Sequence, residues 1–331
     1  MSAQEVLLVA VALAFAWSIG AHYTGACMGM SYGSGSIRLW PALAIMAVLA
    51  LAGAAVASHR VELTVGLHII DARQVTLVGA IVILVVAFAL TTVYTAARLP
   101  TSTIQILVFS VAGMALGGGI AIYWGTILRL AVIWVIAPPV AMGLGYLFTR
   151  ALDRIVRERP RGPGGGTGQG SVGLGLGIWP SLLVLMGAAA SFTMGGNDVS
   201  NATGMLVMTG SFNVWAAGLM GGAGLFIGVL TWGRPLLKTV AFDIVHVDLP
   251  MATAAQLVQA VVVFSAVLFG FFTSMNQALV GAMTGAGLAR GQASVQWGTV
   301  NNIVKGWLVG PPSGLALGFL CAHLAAVWWR L

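Results

Sequence analysis

The sequence predicts an all-α polytopic membrane protein, built from two inverted-topology repeats of about five hydrophobic segments each, with broken or re-entrant helices at the midplane. Three observations lead to this prediction: an apolar composition, a duplicated order of residues, and a hydrophilic segment between the two copies. Hydrophobic residues make up 59% of the 331 residues, and charged residues make up only 7%. Because a soluble domain carries about 25% charged residues, this composition excludes a soluble globule.

The first half of the chain recurs in the second half in the same order. Residues 20 to about 70 align with residues 195 to about 245 at an offset of 175, with matching glycines, a Trp and a Thr-Val pair. Two later motifs recur at offsets of 172 and 173: Thr101-Ser102 as Thr273-Ser274, and Trp124-Gly125-Thr126 as Trp297-Gly298-Thr299. Such a repeat is typical of secondary transporters, whose substrate site lies where the halves meet.

Each half contains five apolar stretches that we interpret as crossings of about 30 Å of hydrocarbon. In the first half they run roughly over residues 6–35, 41–58, 75–96, 104–123 and 126–148. In the second half they run roughly over residues 179–210, 214–232, 253–270, 276–289 and 299–329. Because five is an odd number, the second repeat must enter the membrane from the opposite side, which predicts the inverted topology.

A hydrophilic linker, residues 150–175, separates the N-terminal membrane repeat (1–149) from the C-terminal membrane repeat (176–331). It holds five arginines between Arg150 and Arg161 and then a glycine-rich run, so it is predicted to be a flexible tether. Since basic loops stay inside, we expect the linker to be cytoplasmic and both termini to be extracytoplasmic, in the cell (inner) membrane. The net charge of +7 then reflects topology and predicts no nucleic-acid partner.

A polar motif lies inside the first apolar stretch of the second half, from Gly195 to Gly204, and reads Gly-Gly-Asn-Asp-Val-Ser-Asn-Ala-Thr-Gly. Its Asp198 is one of very few acids at predicted membrane depth, and such an acid is a candidate functional residue. A carboxylate tied only to neighbouring helices is the alternative. Because glycines flank the motif, we expect a discontinuous helix here, whose N–H groups and positive dipole end can hold an anion.

This motif closely resembles the duplicated G-A-N-D-V-A-N-A signature of the PiT inorganic phosphate transporters. The segment from Pro100 to Thr103 resembles the second signature of that family, and the resemblance covers nearly the whole chain. It implies an ion-coupled anion transporter, a homodimer in membrane lipid, with the oxyanion bound by Ser and Thr groups of the second signature. The substrate-binding residues predicted in this way, with neighbouring polar residues added, are Thr101, Ser102, Thr103, Thr273, Ser274, Asn197, Asn201, Thr24 and Asn276.

The first repeat departs from the signature at its polar positions. His22 stands for Asn, Tyr23 for Asp and Ala26 for the second Asn, so one of two intramembrane carboxylates is lost. The run from Met28 to Ile37 resembles the M-G-x-x-Y-G-S-G-x-I run of the sulfate permease branch of the family, the CysP type. We assign Asp198, His22 and Tyr23 as candidate coupling-ion residues. His22 either shuttles protons or is a hydrogen-bonded residue at a helix break.

The chemistry of the two oxyanions favours sulfate as the substrate. Sulfate only accepts hydrogen bonds near neutral pH, whereas phosphate keeps a proton that it can donate to a carboxylate. A sulfate site should therefore be rich in hydroxyl, amide and backbone donors and poor in carboxylates, and Tyr23 in place of Asp moves the site that way. The sequence predicts a sulfate-importing symporter. A sodium- or proton-coupled phosphate transporter is the alternative, and a passive anion channel is the second alternative.

Two bases also fall inside predicted spans, Arg129 and Lys305. They either neutralise a divalent anion or extend to the interface. No paired carboxylates, metal cluster, catalytic Ser/His/Asp set or nucleotide-binding loop can be read, so we predict no enzyme, metal site or cofactor beyond coupling H⁺ or Na⁺. Because the first repeat has lost the Asp and both Asn that could bind sodium, protons are the favoured coupling ion.

Overall fold

A computed structural model describes residues 2–157, 177–242, 248–291 and 295–329, and over these residues the chain is helical. The helices of the first repeat are α1 (Ala3–His22), α2 (Thr24–Gly33), α3 (Leu39–Ala57), α4 (His59–Leu67), α5 (Leu77–Ala96), α6 (Thr103–Gly118) and α7 (Trp124–Arg157), with a 3-10 turn at Ala72–Gln74. Those of the second repeat are α8 (Ile178–Met208), α9 (Val214–Trp232), α10 (Arg234–Phe242), α11 (Leu249–Leu268), α12 (Met275–Arg290) and α13 (Trp297–Trp329). The predicted all-α class is confirmed.

Eight spans among the described residues are long and apolar enough to cross a membrane: α1 with α2, then α3, α5, α7, α8, α9, α11 and α13. The two remaining predicted stretches form α6 and α12, which contain 16 residues each. At 1.5 Å per residue such a helix is about 24 Å long, which is shorter than the hydrocarbon layer. These two helices are the short elements that the prediction of broken or re-entrant helices requires.

The polar motif of the second repeat does not break its helix. Helix α8 runs without interruption from Ile178 to Met208, so the expected discontinuity at residues 195–204 is wrong. The interruption lies at Tyr23, the equivalent position of the first repeat, between α1 and α2. The glycines permit close packing instead, because a Cβ atom on Gly195 would lie 2.0 Å from the carbonyl oxygen of Ala50.

Reciprocal contacts join the two repeats. Among the glycines on which a Cβ atom would meet the backbone of another helix, four form two pairs of contacts: Gly20 with Leu225 and Gly195 with Ala50, then Gly113 with Leu315 and Gly285 with Met142. Within each pair, the second contact is the first with the repeats exchanged. Helix α1 thus packs against α9 as α8 packs against α3, and α6 packs against α13 as α12 packs against α7. This is a two-fold relation, as an inverted pair of repeats requires.

Helix α5 separates two faces of the protein. Before it, Ile70 forms an antiparallel bridge with Ile122, which places the start of α5 beside the start of α7. On the same side, Arg60 Nη1 donates to the carbonyl oxygen of Leu268 at the end of α11. After α5, the chain passes through Arg98 into α6. Because α5 contains 20 residues and is therefore about 30 Å long, these two regions lie at opposite ends of the spanning layer.

The predicted linker overlaps the end of α7, which continues to Arg157. The rest of the linker, from residue 158 to 175, lies outside the described residues.

Candidate substrate and ion site

The two signature motifs meet in a buried cluster between α1, α2, α6, α8 and α12. Tyr23 and Asp198, which occupy equivalent positions of the two repeats, are connected through Thr103 and Asn201. The Tyr23 hydroxyl lies 2.9 Å from Thr103 Oγ1, and Asn201 Nδ2 donates both to Thr103 Oγ1 and to Asp198 Oδ1. Tyr23, Thr103 and Asp198 are all 0% exposed. The residue that replaces an acid in the first repeat therefore belongs to the same hydrogen-bonded cluster as the acid that remains in the second.

Neutral donors surround the Asp198 carboxylate. Asn197 Nδ2 donates to its Oδ2 at 3.0 Å, and Asn201 Nδ2 donates to its Oδ1 at 3.4 Å from one turn further along α8. The ion pairs recorded among the described residues join Arg290 to Asp153 and to Asp248, and neither involves this cluster. Burial disfavours the charged form of a carboxylate unless a cation neutralises it, and the hydrogen-bond donors recorded for Asp198 are neutral. A mobile cation or a proton would supply that neutralisation, which makes Asp198 a candidate site for a coupling ion.

Two helix N-termini converge next to this carboxylate. Ser102 caps α6 by accepting from the Gln105 N–H, and Ser274 caps α12 by accepting from the Gln277 N–H. The side-chain amides of Gln105 and Gln277 also bond to each other, with Nε2 of Gln277 3.2 Å from Oε1 of Gln105. The positive dipole ends of α6 and α12 thus lie side by side inside the protein, where they favour an anion.

Equivalent residues of the two signatures hold the segments that precede these helices. In the second repeat, Asn197 Nδ2 donates to the Thr273 carbonyl at 2.9 Å, and its Oδ1 accepts from the Thr273 N–H at 3.4 Å. In the first repeat, His22 Nε2 accepts from the Thr101 N–H at 3.2 Å, and Nδ1 lies 2.8 Å from Thr95 Oγ1. The Thr95 hydroxyl already donates to a carbonyl one turn earlier, so Nδ1 of His22 must be the donor. Both ring nitrogens are engaged, which favours a positioning role over proton transfer.

Two side-chain amides of the second repeat contact the N-terminal end of α6 in the first repeat, which we call its helix tip. Asn201 Nδ2 donates to Thr103 Oγ1 at 3.0 Å, and Asn276 Nδ2 donates to the Thr101 carbonyl at 2.6 Å. Two buried polar atoms of the cluster are without a hydrogen-bond partner, Asn201 Oδ1 and Thr273 Oγ1. One is an acceptor and the other carries a hydroxyl proton, so the site has unused capacity for both a cation and an anion.

Most of the predicted substrate residues belong to this cluster or to the two helix tips: Thr101, Ser102, Thr103, Thr273, Ser274, Asn197, Asn201 and Asn276. Thr24 does not, because its hydroxyl donates to the carbonyls of Ala21 and Gly233 and so joins α2 to the turn between α9 and α10.

The structure does not bring the two predicted charge neutralisers to this site. Arg129 and Lys305 are both exposed, and Arg129 Nε donates to the Gly125 carbonyl. Hydropathy placed them in spans because α7 and α13 contain 34 and 33 residues, more than a bilayer needs. Arg129 and Lys305 lie within the first three turns of these helices, and those turns can therefore lie at the surface.

Sequence analysis missed two amides in α11. Gln256 and Gln259 are both 0% exposed. Gln256 Nε2 donates to the Ala26 carbonyl at 3.0 Å, and Gln259 Nε2 donates to the Met275 carbonyl at 3.3 Å. They connect α2 and the start of α12 through α11. Two polar residues three positions apart in an apolar span are the signal that would have identified them.

Sequence analysis also missed Glu62 of α4, outside the eight spans. Its side chain is 0% exposed, and its Oε1 accepts from Thr203 Oγ1 at 2.9 Å. Its Oε2 has no partner. Burial raises the pKa of Glu62 from 4.5 to about 7, against the opposing effect of the Thr203 hydrogen bond.

Comparison with known proteins places this geometry in context. Residues 19–164 and 176–318 match the family described as "Phosphate transporter family". The chain is 29% identical to the sulfate permease CysP of Bacillus subtilis, over 97% of this chain and 88% of that protein. It is 28% identical to the chloroplastic inorganic phosphate transporter 2-1 of Arabidopsis thaliana, over 92% of this chain and 69% of that protein.

A solved structure described as "The sodium-dependent phosphate transporter" has the same fold. Its TM-score to this chain is 0.87 at 21% identity, and the match covers 98% of this chain and 100% of that one.

Proposed function

This chain belongs to the phosphate transporter family, and from that premise we propose that it is an ion-coupled symporter that imports sulfate. The chain is an integral membrane protein of a family of inorganic anion transporters, and its relatives are transporters, not enzymes. Within that family, we propose sulfate as its substrate and a proton as its coupling ion.

The position of Tyr23 in the cluster that holds Asp198 is the observation that carries the choice of sulfate. A second carboxylate at position 23 would add a negative charge and would repel a fully ionised dianion. With Tyr23 there, the phenol contacts Thr103, the Asp198 carboxylate accepts from two amides, and the rest of the cluster offers donors. Those donors are the helix N-termini of α6 and α12 and the hydroxyl of Thr273. Phosphate would bring a proton that faces donors, and a buried hydrogen without an acceptor costs about 1 to 3 kcal/mol.

Asp198 is the proposed binding group for the coupling ion. A sodium ion needs several oxygen ligands, and Tyr23 is a bulky donor where an acid would supply one. A proton needs one acceptor, which the Asp198 carboxylate provides. We therefore favour protons, with sodium as the alternative. Tyr23 and His22 support this site by position: the Tyr23 hydroxyl bonds to Thr103 Oγ1, and His22 holds the peptide of Thr101.

Homodimer assembly, a cytoplasmic linker and extracytoplasmic termini are part of the same proposal. They derive from the basic residues of the linker and from the resemblance of the sequence to its family.

Uptake by purified protein in liposomes tests the proposal. Radioactive sulfate and phosphate are compared under an imposed proton gradient, an imposed sodium gradient and no gradient. We expect sulfate to accumulate above its external concentration under the proton gradient, with phosphate competing about tenfold to a hundredfold more weakly. Equal or better competition by phosphate would return the chain to phosphate transport. Uptake that only equilibrates the anion would favour a passive channel, and uptake that follows sodium alone would exclude proton coupling.

A further inference from the structure

Two cavities lie outside the buried cluster, one toward each face of the protein. The first has a volume of about 470 Å³ and lies between the start of α7 and the turn after α11, where it is lined by residues that include Thr126, Arg129 and Phe271. The second has a volume of about 330 Å³ and lies between the turn after α5 and the start of α13, where it is lined by residues that include Arg98 and Thr299. Because these regions lie at opposite ends of α5, the cavities open toward opposite sides of the membrane.

The internal repeat relates the two cavities to each other. Thr126 of the first cavity corresponds to Thr299 of the second at an offset of 173, and Phe271 corresponds to Leu99 at an offset of 172. Each cavity borders the segment that leads into a buried helix tip. Phe271 comes shortly before the Ser274 cap of α12, and Pro100 comes shortly before the Ser102 cap of α6. The cavities are therefore the solvent-side approaches to the two helix N-termini of the candidate site.

Each cavity has its own arginine, and the two arginines are not equivalent in the repeat. Arg129 of the first cavity corresponds to Asn302 in the second, whereas Arg98 of the second corresponds to Gly270 in the first. The duplicated positions are thus occupied differently, yet both cavities carry a fixed positive charge. The residues that line them include no Asp or Glu, and the first also includes His68.

The backbone at Arg98 shows that this arginine is placed at a conformational cost. Its φ is 58°, and within the described part of the chain Arg98 is the one non-glycine residue with a positive φ. The equivalent Gly270 has a φ of 71°, so the turn demands the left-handed conformation in both repeats. Glycine adopts that conformation without strain, and a long side chain does not. Strained residues of this kind concentrate at functional positions.

We propose that the two cavities are oxyanion vestibules, in which Arg129 at one face and Arg98 at the other concentrate a tetrahedral oxyanion before it passes to the buried helix tips. A cation in a concave, low-dielectric cavity focuses its field and raises the local concentration of anions. Arg129 is anchored through Nε to the Gly125 carbonyl, and its two terminal nitrogens carry further donors. The identity of the oxyanion rests on the proposed function, whereas the charge of the vestibules does not.

Thiol labelling measures the charge of each vestibule without requiring transport. Thr126→Cys and Thr299→Cys are made separately in a Cys27→Ala, Cys321→Ser background and reconstituted in oriented liposomes. Each is treated with membrane-impermeant methanethiosulfonates of negative and positive charge.

We expect the two thiols to react from opposite faces and to favour the anionic reagent. Arg129→Gln should lower that preference about threefold to tenfold at Thr126→Cys alone, and Arg98→Asn should do so at Thr299→Cys alone. Asn is chosen because it tolerates the left-handed conformation.

Controls separate charge from structure. Arg73→Gln removes an exposed arginine that does not line either vestibule, so both preferences should stay unchanged. Arg98→Gly reproduces Gly270 and relieves strain, so it should fold and still lose the preference at Thr299→Cys. The vestibule proposal would be wrong if the preference for the anionic reagent did not change on substitution of Arg98 or Arg129, or if the two thiols reacted from the same face. Charged vestibules in a protein that accumulates neither sulfate nor phosphate would instead refute the proposed function.

Discussion

The coupling between Tyr23 and Asp198 can be measured by a double-mutant cycle. Tyr23→Phe removes a buried hydroxyl that lies 2.9 Å from Thr103 Oγ1, in the network that reaches the Asp198 carboxylate through Asn201, and it leaves the ring in place. A neutral hydrogen bond contributes about 0.5 to 1.5 kcal/mol, and one to a charged group contributes about 1.5 to 3 kcal/mol. Because a charged carboxylate polarises this network, we expect Tyr23→Phe to lower the free energy of unfolding by about 1.5 to 3 kcal/mol in the wild-type background. In the Asp198→Asn background the network is neutral, so the loss should be only about 0.5 to 1.5 kcal/mol.

The difference predicts a coupling energy of about 1 to 1.5 kcal/mol between the two side chains. Denaturant unfolding in detergent micelles, followed by tryptophan fluorescence, measures it. Tyr123→Phe is the matched control, because the Tyr123 side chain is 46% exposed and its hydroxyl removal should change stability by less than about 0.5 kcal/mol. A coupling energy near zero would mean that the first-repeat tyrosine does not share a network with the second-repeat acid, and the argument from Tyr23 to the choice of sulfate would fail.

Three further outcomes are expected. Asp198→Asn should abolish gradient-driven uptake while folded protein is retained in size-exclusion profiles; normal accumulation would make this residue structural. Gly195→Ala should lower the thermal unfolding midpoint by several degrees, because its Cβ would lie 2.0 Å from the Ala50 carbonyl, whereas Gly143→Ala, with no atom within 4 Å, should not. Wild-type protein should lose up to about 3 kcal/mol of stability as the pH rises from 4.5 to 7, because the unfolded Glu62 ionises at about 4.5 and the folded one at about 7. Glu62→Gln should remove that loss, and unfolding midpoints at pH 4.5 and 7.5 that fall equally in both proteins would contradict it.

The sequence predicted the fold from properties of long stretches of the chain, which do not depend on any single residue. Composition identified the membrane, and the matched positions identified the two repeats. The discontinuous helix was wrong because glycines next to a polar motif have two physical uses. Gly195 in fact allows Ala50 to approach, and the interruption occurs at Tyr23, between Gly20 and Gly25, which also pack closely against the backbone of other helices. Only the neighbouring helix distinguishes a packing glycine from a hinge glycine.

The candidate site was predictable where a motif fixed the residues. Asn197 and Asp198 came directly from the polar motif, and both lie in the buried cluster. Hydropathy predicts the depth of a residue but not the direction of its side chain, so the sequence left two roles open for Arg129, a charge neutraliser or a residue that extends to the interface. In the structure its side chain is exposed. Gln256 and Gln259 belong to no motif, and their role depends on backbone carbonyls that only the folded chain brings within reach.

The exchange of partners between the repeats has a mechanical consequence. Helix α6 is packed on α13 of the other repeat, and α12 is packed on α7, with glycines at the points of closest approach. The N-terminal end of each short helix, which carries candidate substrate groups, should therefore move together with a long helix from the opposite half. If the proposed transport tilts one long helix to widen the passage on its own side, that helix carries the end of the opposite short helix with it. Leakage of the anion through both sides at once would then require two tilts to occur together, so we expect the crossed packing to act as an interlock.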